Sequence, residues 1–366
     1  MSRNRVIYQS EALYVSKNAT ATGTNDHEQL ERVQSANYSF NISRQDVNQF
    51  GMLGKVGSMV LEAPTVSADT SYLLTDGFNE RALGFHVTTS ATSQTSGSFI
   101  SGHMNDGSGQ NLFITTVPEG VDAKGIAVSG STNDAIGIGN AYLSDYSLDL
   151  SVGSLPTASV SFEAANINSN VGDDIVNPAV NQADGSALTT KVALPNANSG
   201  FSQEVALRPG DITVDISDAT GQVLVDIASP DNDSAHIQSA SLSIPLSRSS
   251  LERLGTKYAY ARAVDFPIQA TLSVNAIVNE TQANALTTIV DDESSKTLRL
   301  TLKAEDNTDA MIYILKGCQI ASESFSSSIG SNKSVDLTFV TSIGGPEDTT
   351  NGVFVSGANT SGVFTS

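Results

Sequence analysis

The sequence predicts a mainly β protein made of two tandem copies of one unit, each with a short helix. Three observations predict it. Ser, Thr, Asn and Gly take the place of much of the Lys and Glu of an ordinary enzyme, a bias toward strands and turns. Apolar residues alternate with polar ones over runs of about eight, the period of a half-buried strand. Finally, one phrase is written twice: RVQSANYSFNISRQDVNQFG from Arg32 to Gly51, and HIQSASLSIPLSRSSLERLG from His236 to Gly255.

At an offset of 204, seven of the twenty positions are identical, among them Gln34/Gln238, Ser35/Ser239, Arg44/Arg248 and Gly51/Gly255. The hydrophobic phase is kept as well. Ala36, Tyr38, Phe40 and Ile42 alternate with Ser35, Asn37, Ser39 and Asn41; Ala240, Leu242, Ile244 and Leu246 alternate with Ser239, Ser241, Ser243 and Pro245. Each run reads as a strand with one apolar and one polar face. After it, SRQDVNQFG and SRSSLERLG read as short helices or turns, with Ser43 and Ser247 as N-caps and Gly51 and Gly255 as C-caps. TQANAL (281–286) is a further helix candidate.

The correspondence extends along the chain. Upstream, ALYVSKNAT (12–20) faces ITVDISDAT (212–220). Downstream, Pro64 and Pro267 each precede an alternating strand, with Val66, Ala68, Thr70 and Tyr72 against Ile268, Ala270, Leu272 and Val274 after a slip in register. NLFITT resembles TLRLTL. YSLDLSVGSLPTASVSFEA (146–164) resembles ESFSSSIGSNKSVDLTF (323–339), each a strand, a turn at Gly153 or Gly330, and a strand. The units are therefore expected at 1–165 and 197–345, with 166–196 a linker or excursion and 346–366 a flexible or docking C-terminal tail.

Length and composition agree. A chain of 366 residues exceeds the usual single domain. No apolar run approaches the roughly 18 residues of a membrane helix. The opening MSRNRVIYQSEALY lacks the apolar core of a secretory signal. Cys318 is the one cysteine and is expected in the core. The net charge of −20, from 39 acidic and 19 basic residues, disfavours a partner that must be gripped through phosphates.

The polar faces of the alternating strands are short, uncharged or acidic. In the first unit's closing hairpin that face carries Asp145, Ser147, Asp149, Ser151, Ser161 and Glu163; in the second it carries Ser322, Ser324, Ser326, Ser328, Asp336 and Thr338. No Lys or Arg occurs between Lys124 and Lys191, whereas an ordinary solvated sheet mixes both signs. A wall of this kind gives a polyanion no cationic partner, so no counterion release drives binding.

Enzyme chemistry is not expected. His27, His86, His103 and His236 lack metal-ligand spacing and read as surface or loop residues. The acidic clusters at 231–233 and 291–293 lack the spacing of a calcium loop. There is no nucleophile elbow or P-loop, and GIGN (137–140) reads as turn glycines. No cofactor or metal is called for.

In the order and duplication of these motifs the chain resembles the tail tube (major tail) proteins of tailed bacteriophages. The resemblance is carried by MSRNRVIYQSEALYVS, by RVQSANYSFNISRQDVNQFG followed by VLEAPTVSADTSYLL, and by the closing hairpin. It implies a small tail-tube-like β-barrel or sandwich in each unit, with inner strands joined between subunits into a ring. It also implies stacked rings that conduct DNA without binding it. Rings of this family present six such units, so a duplicated chain implies a trimeric, pseudohexameric ring, a virion-tail location after assembly in the host cytoplasm, and no membrane. Implied partners are further copies of the chain and the tape measure, terminator and baseplate or tip proteins of a tail. The positions then expected to face the lumen are Ser35, Asn37, Ser39, Asn41, Asp69, Asp145, Asp149, Glu163, Ser239, Ser241, Ser243, Thr271, Ser324, Ser326 and Asp336. Candidates for ring-to-ring contacts are 1–15, the Gly51–Gly57 loop, the linker and the tail. The alternative from another class is a β-sandwich capsid-decoration or adhesin protein.

Overall fold

The computed structural model describes residues 11–89, 97–104, 107–118, 123, 134–171, 175–195, 206–208, 212–218, 223–226, 236–277, 295–305, 308–326 and 334–358. The first half holds strands β1 (Glu11–Ser16), β2 (His27–Gln29), β3 (Val33–Asn41), β4 (Arg44–Val47), β5 (Gly57–Val60) and β6 (Thr65–Leu73). An insertion follows, with helix α1 (Phe78–Ala82), strand β7 (Val87–Thr88) and helix α2 (Ser101–Met104). The half ends with β8 (Gln110–Thr116), β9 (Asp134–Ser151), β10 (Thr157–Ala164) and β11 (Asn166–Val171). The second half holds β12 (Ile212–Asp218), β13 (Val223–Asp226), β14 (His236–Pro245), β15 (Arg248–Leu251), β16 (Ala261–Val264), β17 (Ile268–Ile277), β18 (Lys296–Lys303), β19 (Asp309–Ser326), β20 (Ser334–Ile343) and β21 (Gly352–Gly357).

Eight antiparallel strands form the central layer in the order β3-β6-β10-β9-β14-β17-β20-β19. A second layer covers its apolar face. It consists of β2-β1-β8-β9-β11 over the first half and β13-β12-β18-β19-β21-β7 over the second. β9 and β19, 18 residues each, serve both layers. Their first parts pair in the outer sheets and their last parts in the central one. At the crossing each strand makes a bulge, between Ser161 and Phe162 of the partner in one half and between Ile320 and Ser322 in the other. A bulge bends a strand and re-aims its side chains.

The alternation seen in the sequence explains the core. Val66, Ala68, Tyr72, Val160, Phe162, Leu148, Leu242, Leu272, Leu337 and Phe339 all point from the central sheet into one buried cluster, which Leu13, Val15, Leu112, Leu298, Leu300 and Tyr313 close from the other side. The two halves thus share one sheet and one core. They do not stand as discrete barrels, and no closed barrel forms among the described residues.

Two short sequences expected as helices or turns are hairpins. SRQDVNQFG and SRSSLERLG begin the hairpins β4–β5 and β15–β16, with Arg44 opposite Val60 and Arg248 opposite Val264. The capping pattern was present, but each segment covers too little apolar surface to hold a lone turn of helix, whereas the hairpin satisfies its backbone through a second strand. Gly51 and Gly255 keep their turn role, at φ 84° and 99°. The described helices, α1 and α2, both belong to the first half, and residues 281–286 lie outside the described ones. The slip in register after Pro64 is also absent. Asn37 faces Asp69 and Ser241 faces Ser273, so the offset of 204 continues unbroken through β6 and β17.

Part of the linker and part of the tail are built into the layers. β11 pairs with β9, and Ile175, Val192 and Leu194 cover Tyr14 and Phe113 on the far side of the outer sheet. Buried amides pin this excursion. Asn111 Nδ2 donates to Ala19 O at 2.9 Å and to Asn177 Oδ1 at 3.1 Å, while Asn140 Oδ1 accepts from Val180 N at 2.8 Å. Gly137 and Gly139 lie in strand β9 and are not turn glycines. A Cβ on Gly139 would stand 2.3 Å from Pro178 O, so the glycine is what lets the excursion approach. β21 is fully buried and pairs with both β19 and β7.

Candidate functional site: an acidic sheet face and two open edges

All fifteen positions expected on a polar wall lie on the central sheet, on the face turned away from the core. Backbone register places them in rows. Asn37, Asp69, Ser161 and Asp145 stand side by side across β3, β6, β10 and β9. Asp149, Ser241, Ser273, Thr338 and Ser322 continue a neighbouring row across β9, β14, β17, β20 and β19. Ser239 stands between Ser151 and Asn275, and Asp336 between Asn275 and Ser324. Ser243 faces Thr271, and Ser326 faces Ser334.

The face satisfies itself. Ser35 and Ser71 hydroxyls meet at 2.6 Å, Ser39 and Ser67 at 2.8 Å, and Ser326 and Ser334 at 2.7 Å. Ser161 donates to Asp69 at 2.7 Å, and Asn275 to Asp336 at 2.5 Å. Such short cross-strand pairs keep the wall low and flat. The eight strands carry no Lys or Arg along their central-sheet segments. Partial burial raises the Asp145 carboxyl above its usual range. Base reaches the wall at its rim, where Arg262 Nη1 lies 3.1 Å from Glu163 Oε2. Glu163 is therefore an ion-paired rim residue as well as a wall residue.

The sheet ends in two open edges. Among the described residues β3 pairs with β6 alone, and residues 319–326 of β19 pair with β20 alone. Inside the chain, the counterparts of these edges are joined: β14, equivalent to β3, pairs with the end of β9, equivalent to the end of β19. The junction runs from Ser239 opposite Ser151 to Pro245 opposite Asp145, with Leu246 N donating to Ser144 O at 2.8 Å beyond it.

The apolar face of β3 departs from expectation. Tyr38, Phe40 and Ile42 are 41, 57 and 38% exposed, whereas Leu242, Ile244 and Leu246 at the same places on β14 are at most 1% exposed. The first half covers β14, and nothing among the described residues covers this face of β3 in the same way. The hairpin β4–β5 is likewise bare, with Phe50, Met52, Leu53 and Met59 among its exposed residues. Its counterpart β15–β16 is folded onto the first half. Arg248 Nη2 donates to His103 O at 2.6 Å, and the Arg248 and Arg262 guanidinium groups lie 5.1 and 5.6 Å from the centre of the Tyr142 ring.

Next to β14, where Tyr146 stands opposite Ile244, lies an aromatic cluster that no local motif announced. Phe85 and Phe99 stack at 4.3 Å, both meet Tyr146 edge-on at 5.0 Å, and the Tyr146 and Tyr313 hydroxyls lie 2.9 Å apart. Tyr72 donates to Glu80 Oε1 at 3.0 Å, and burial pushes the Glu80 carboxyl up to about 7. The insertion is also sewn to the second half by Phe99 N, which donates to Val353 O at 2.7 Å, and by the parallel pair β7–β21.

Two histidines expected on the surface are buried: His27, whose Nδ1 lies 2.8 Å from Gly23 O, and His103, which burial and the Arg248 charge push down to about 3. Each fills an aromatic gap, His27 against Phe113 and His103 against Phe85. Cys318 is buried and its thiol is pushed up to about 12 by desolvation. Among the described residues no three His, Cys, Asp or Glu side chains converge as a metal site, and no helix is long and apolar enough to cross a membrane.

No protein-family model and no curated protein matches the chain. Among solved structures, a mutant of the Hcp1 protein from E. coli EAEC 042 aligns over 40% of this chain and 99% of its own, with 10% identity and a TM-score of 0.22.

Proposed function

We propose that the chain is the tube protein of a phage-type tail. Copies join head to tail, β19 of one against β3 of the next, into rings that stack around a DNA channel. The observation that carries this reading is the internal junction of β9 with β14. It is a working example of the contact that the two open edges would make between copies, in the same register. Each chain is read as two equivalent units, about 11–171 and 212–357, each giving four strands to the wall. Three copies then supply the six units that the sequence resemblance implies.

Edge pairing satisfies backbone groups that an exposed strand leaves to aggregate. A heterologous contact closes into a ring when its rotation divides the circle. The exposed face of β3 supports the same arrangement, because in a ring it receives the cover that β14 already has. The acidic and hydroxyl-rich wall then lines the lumen and lets a polyanion pass without a cationic foothold. Tape measure, terminator and baseplate or tip proteins are the partners that such a tube requires.

Electron microscopy of the purified chain, with mass measurement in solution, tests the reading. Annular threefold particles with six lobes and a central channel are the expected result. Discrete monomers at every concentration would remove it and leave a decoration or adhesin module as the better description.

A further inference from the structure

We propose that the β4–β5 arm of one copy seats on Gln319 and Val340 in the second half of the next copy, through a contact in which Ser58 and Val340 replace the ion pair of the internal junction. This rests on the head-to-tail reading and specifies the surface that would join the copies.

The two arms are equivalent in register. Arg44 faces Val60 and Val47 faces Gly57 in one; Arg248 faces Val264 and Leu251 faces Ala261 in the other, all 204 positions on. The second arm shows where such an arm lies, since it sits over the pair Tyr142 and Glu163, cross-strand partners just past the bulge of β9. The ion pair of Arg262 with Glu163 and the guanidinium groups over Tyr142 hold it there. Gln319 and Val340 are cross-strand partners just past the equivalent bulge of β19, so they are the corresponding seat on the second half.

The arm position equivalent to Arg262 is Ser58, and the seat position equivalent to Glu163 is Val340. The cation and its acid are thus both missing from the seam between copies. In the internal pair the arginine is largely covered and the glutamate more than half exposed, so loss of the acid alone would leave a partly desolvated cation facing an apolar neighbour, which is unfavourable. Joint loss leaves no unpaired acid or base at that point; Arg44 keeps the place of Arg248, and the arm adds apolar surface, with Phe50 and Leu53 fully exposed and Met59 60% exposed. Ser58 is itself exposed and Val340 half-buried, so both await a partner. The occupant is a second copy of this chain, because only that brings an arm of this register to a seat of this register.

The test is a charge-restoring pair, Ser58→Arg and Val340→Glu, made singly and together in the full chain. Monomer folding is checked by circular dichroism, and ring formation is followed against concentration. Each single variant is expected to raise the concentration needed for rings by about tenfold or more, and the double variant to recover most of that loss, with assembly now weakened by salt. If wild-type rings form but either single assembles as readily as wild type, or the double recovers nothing, the seat is wrong and the ring reading stands. If the wild-type chain forms no rings at all, the head-to-tail reading fails and takes this inference with it.

Discussion

Phe40 and Ile244 occupy the same place on equivalent strands, yet Phe40 is 57% exposed and Ile244 only 1%. The two strands share alternation and register and are 9 and 10 residues long. What differs is that β14 pairs with the end of β9 and is covered by the first half, while among the described residues β3 has no strand on its outer side. The same strand position is therefore covered in the middle of the chain's central sheet and bare at its edge.

Truncation at the two places should separate folding from assembly. Ile244→Ala is expected to cost the isolated chain about 2–5 kcal/mol, as for a large-to-small change in a packed core. Phe40→Ser should leave chain stability within about 0.5 kcal/mol, as for an exposed position, while abolishing rings. Denaturant unfolding of the monomer together with size-exclusion of assembled material reads both.

Glu80 predicts a pH effect with a definite sign. Burial raises its carboxyl from 4.5 to about 7, so the folded chain holds this proton more tightly than the unfolded one. The stability linked to Glu80 is present below about 4.5 and is lost as pH rises to about 7, an effect of order 3 kcal/mol. His103 works in the opposite direction, since its folded value is lowered to about 3 and its linked stability is gained as pH rises. Glu80→Gln isolates the first effect while keeping an acceptor for the Tyr72 hydroxyl. Its stability relative to wild type, from urea unfolding at pH 5 and pH 8, should improve at the higher pH.

The wall's lack of base can be reversed. Asp149→Lys with Asp336→Lys places two cations on rows that hold none, one in the middle of the sheet and one a single strand in from the β19 edge. Rings should still form, but they should retain duplex DNA at low salt and release it as salt rises. Wild-type rings should retain none in a filter-binding assay.

Gly139→Ala tests the excursion. A methyl group there would meet Pro178 O at 2.3 Å, so residues 175–195 would have to lift and uncover Tyr14 and Phe113. A loss of about 2 kcal/mol or more is expected, together with earlier proteolysis within the excursion.

The sequence disclosed the parts of this architecture that are periodic. The phrase at Arg32 and His236 became the paired elements β3–β4 and β14–β15, and the closing hairpins align at Tyr146 and Glu323 as their bulges require. The arms read as helix or turn because a cap residue and a terminal glycine suit a tight hairpin as well as a helix end. The junction of β9 with β14 was not legible, because pairing between distant strands leaves no local pattern. The same holds for Glu80, Tyr72, Tyr146 and Tyr313, which converge from four separate elements. The exposure of Tyr38 and Phe40 could not be read either, since their alternation is that of a buried strand; it is the missing neighbour that bares them.

The most direct measurement is a cysteine cross-link between the open edges. Ser243 faces Ser147 at the internal junction, and the equivalent residues at the edges are Ser39 and Ser324. A chain carrying Ser39→Cys and Ser324→Cys should oxidise between copies to covalent dimers and then to a closed trimer. Cys318, wholly buried, should contribute no bond in the wild-type control. Absence of intermolecular disulfide in a folded, assembled protein would contradict head-to-tail pairing of β3 with β19, and a ladder running past three would contradict the trimeric ring.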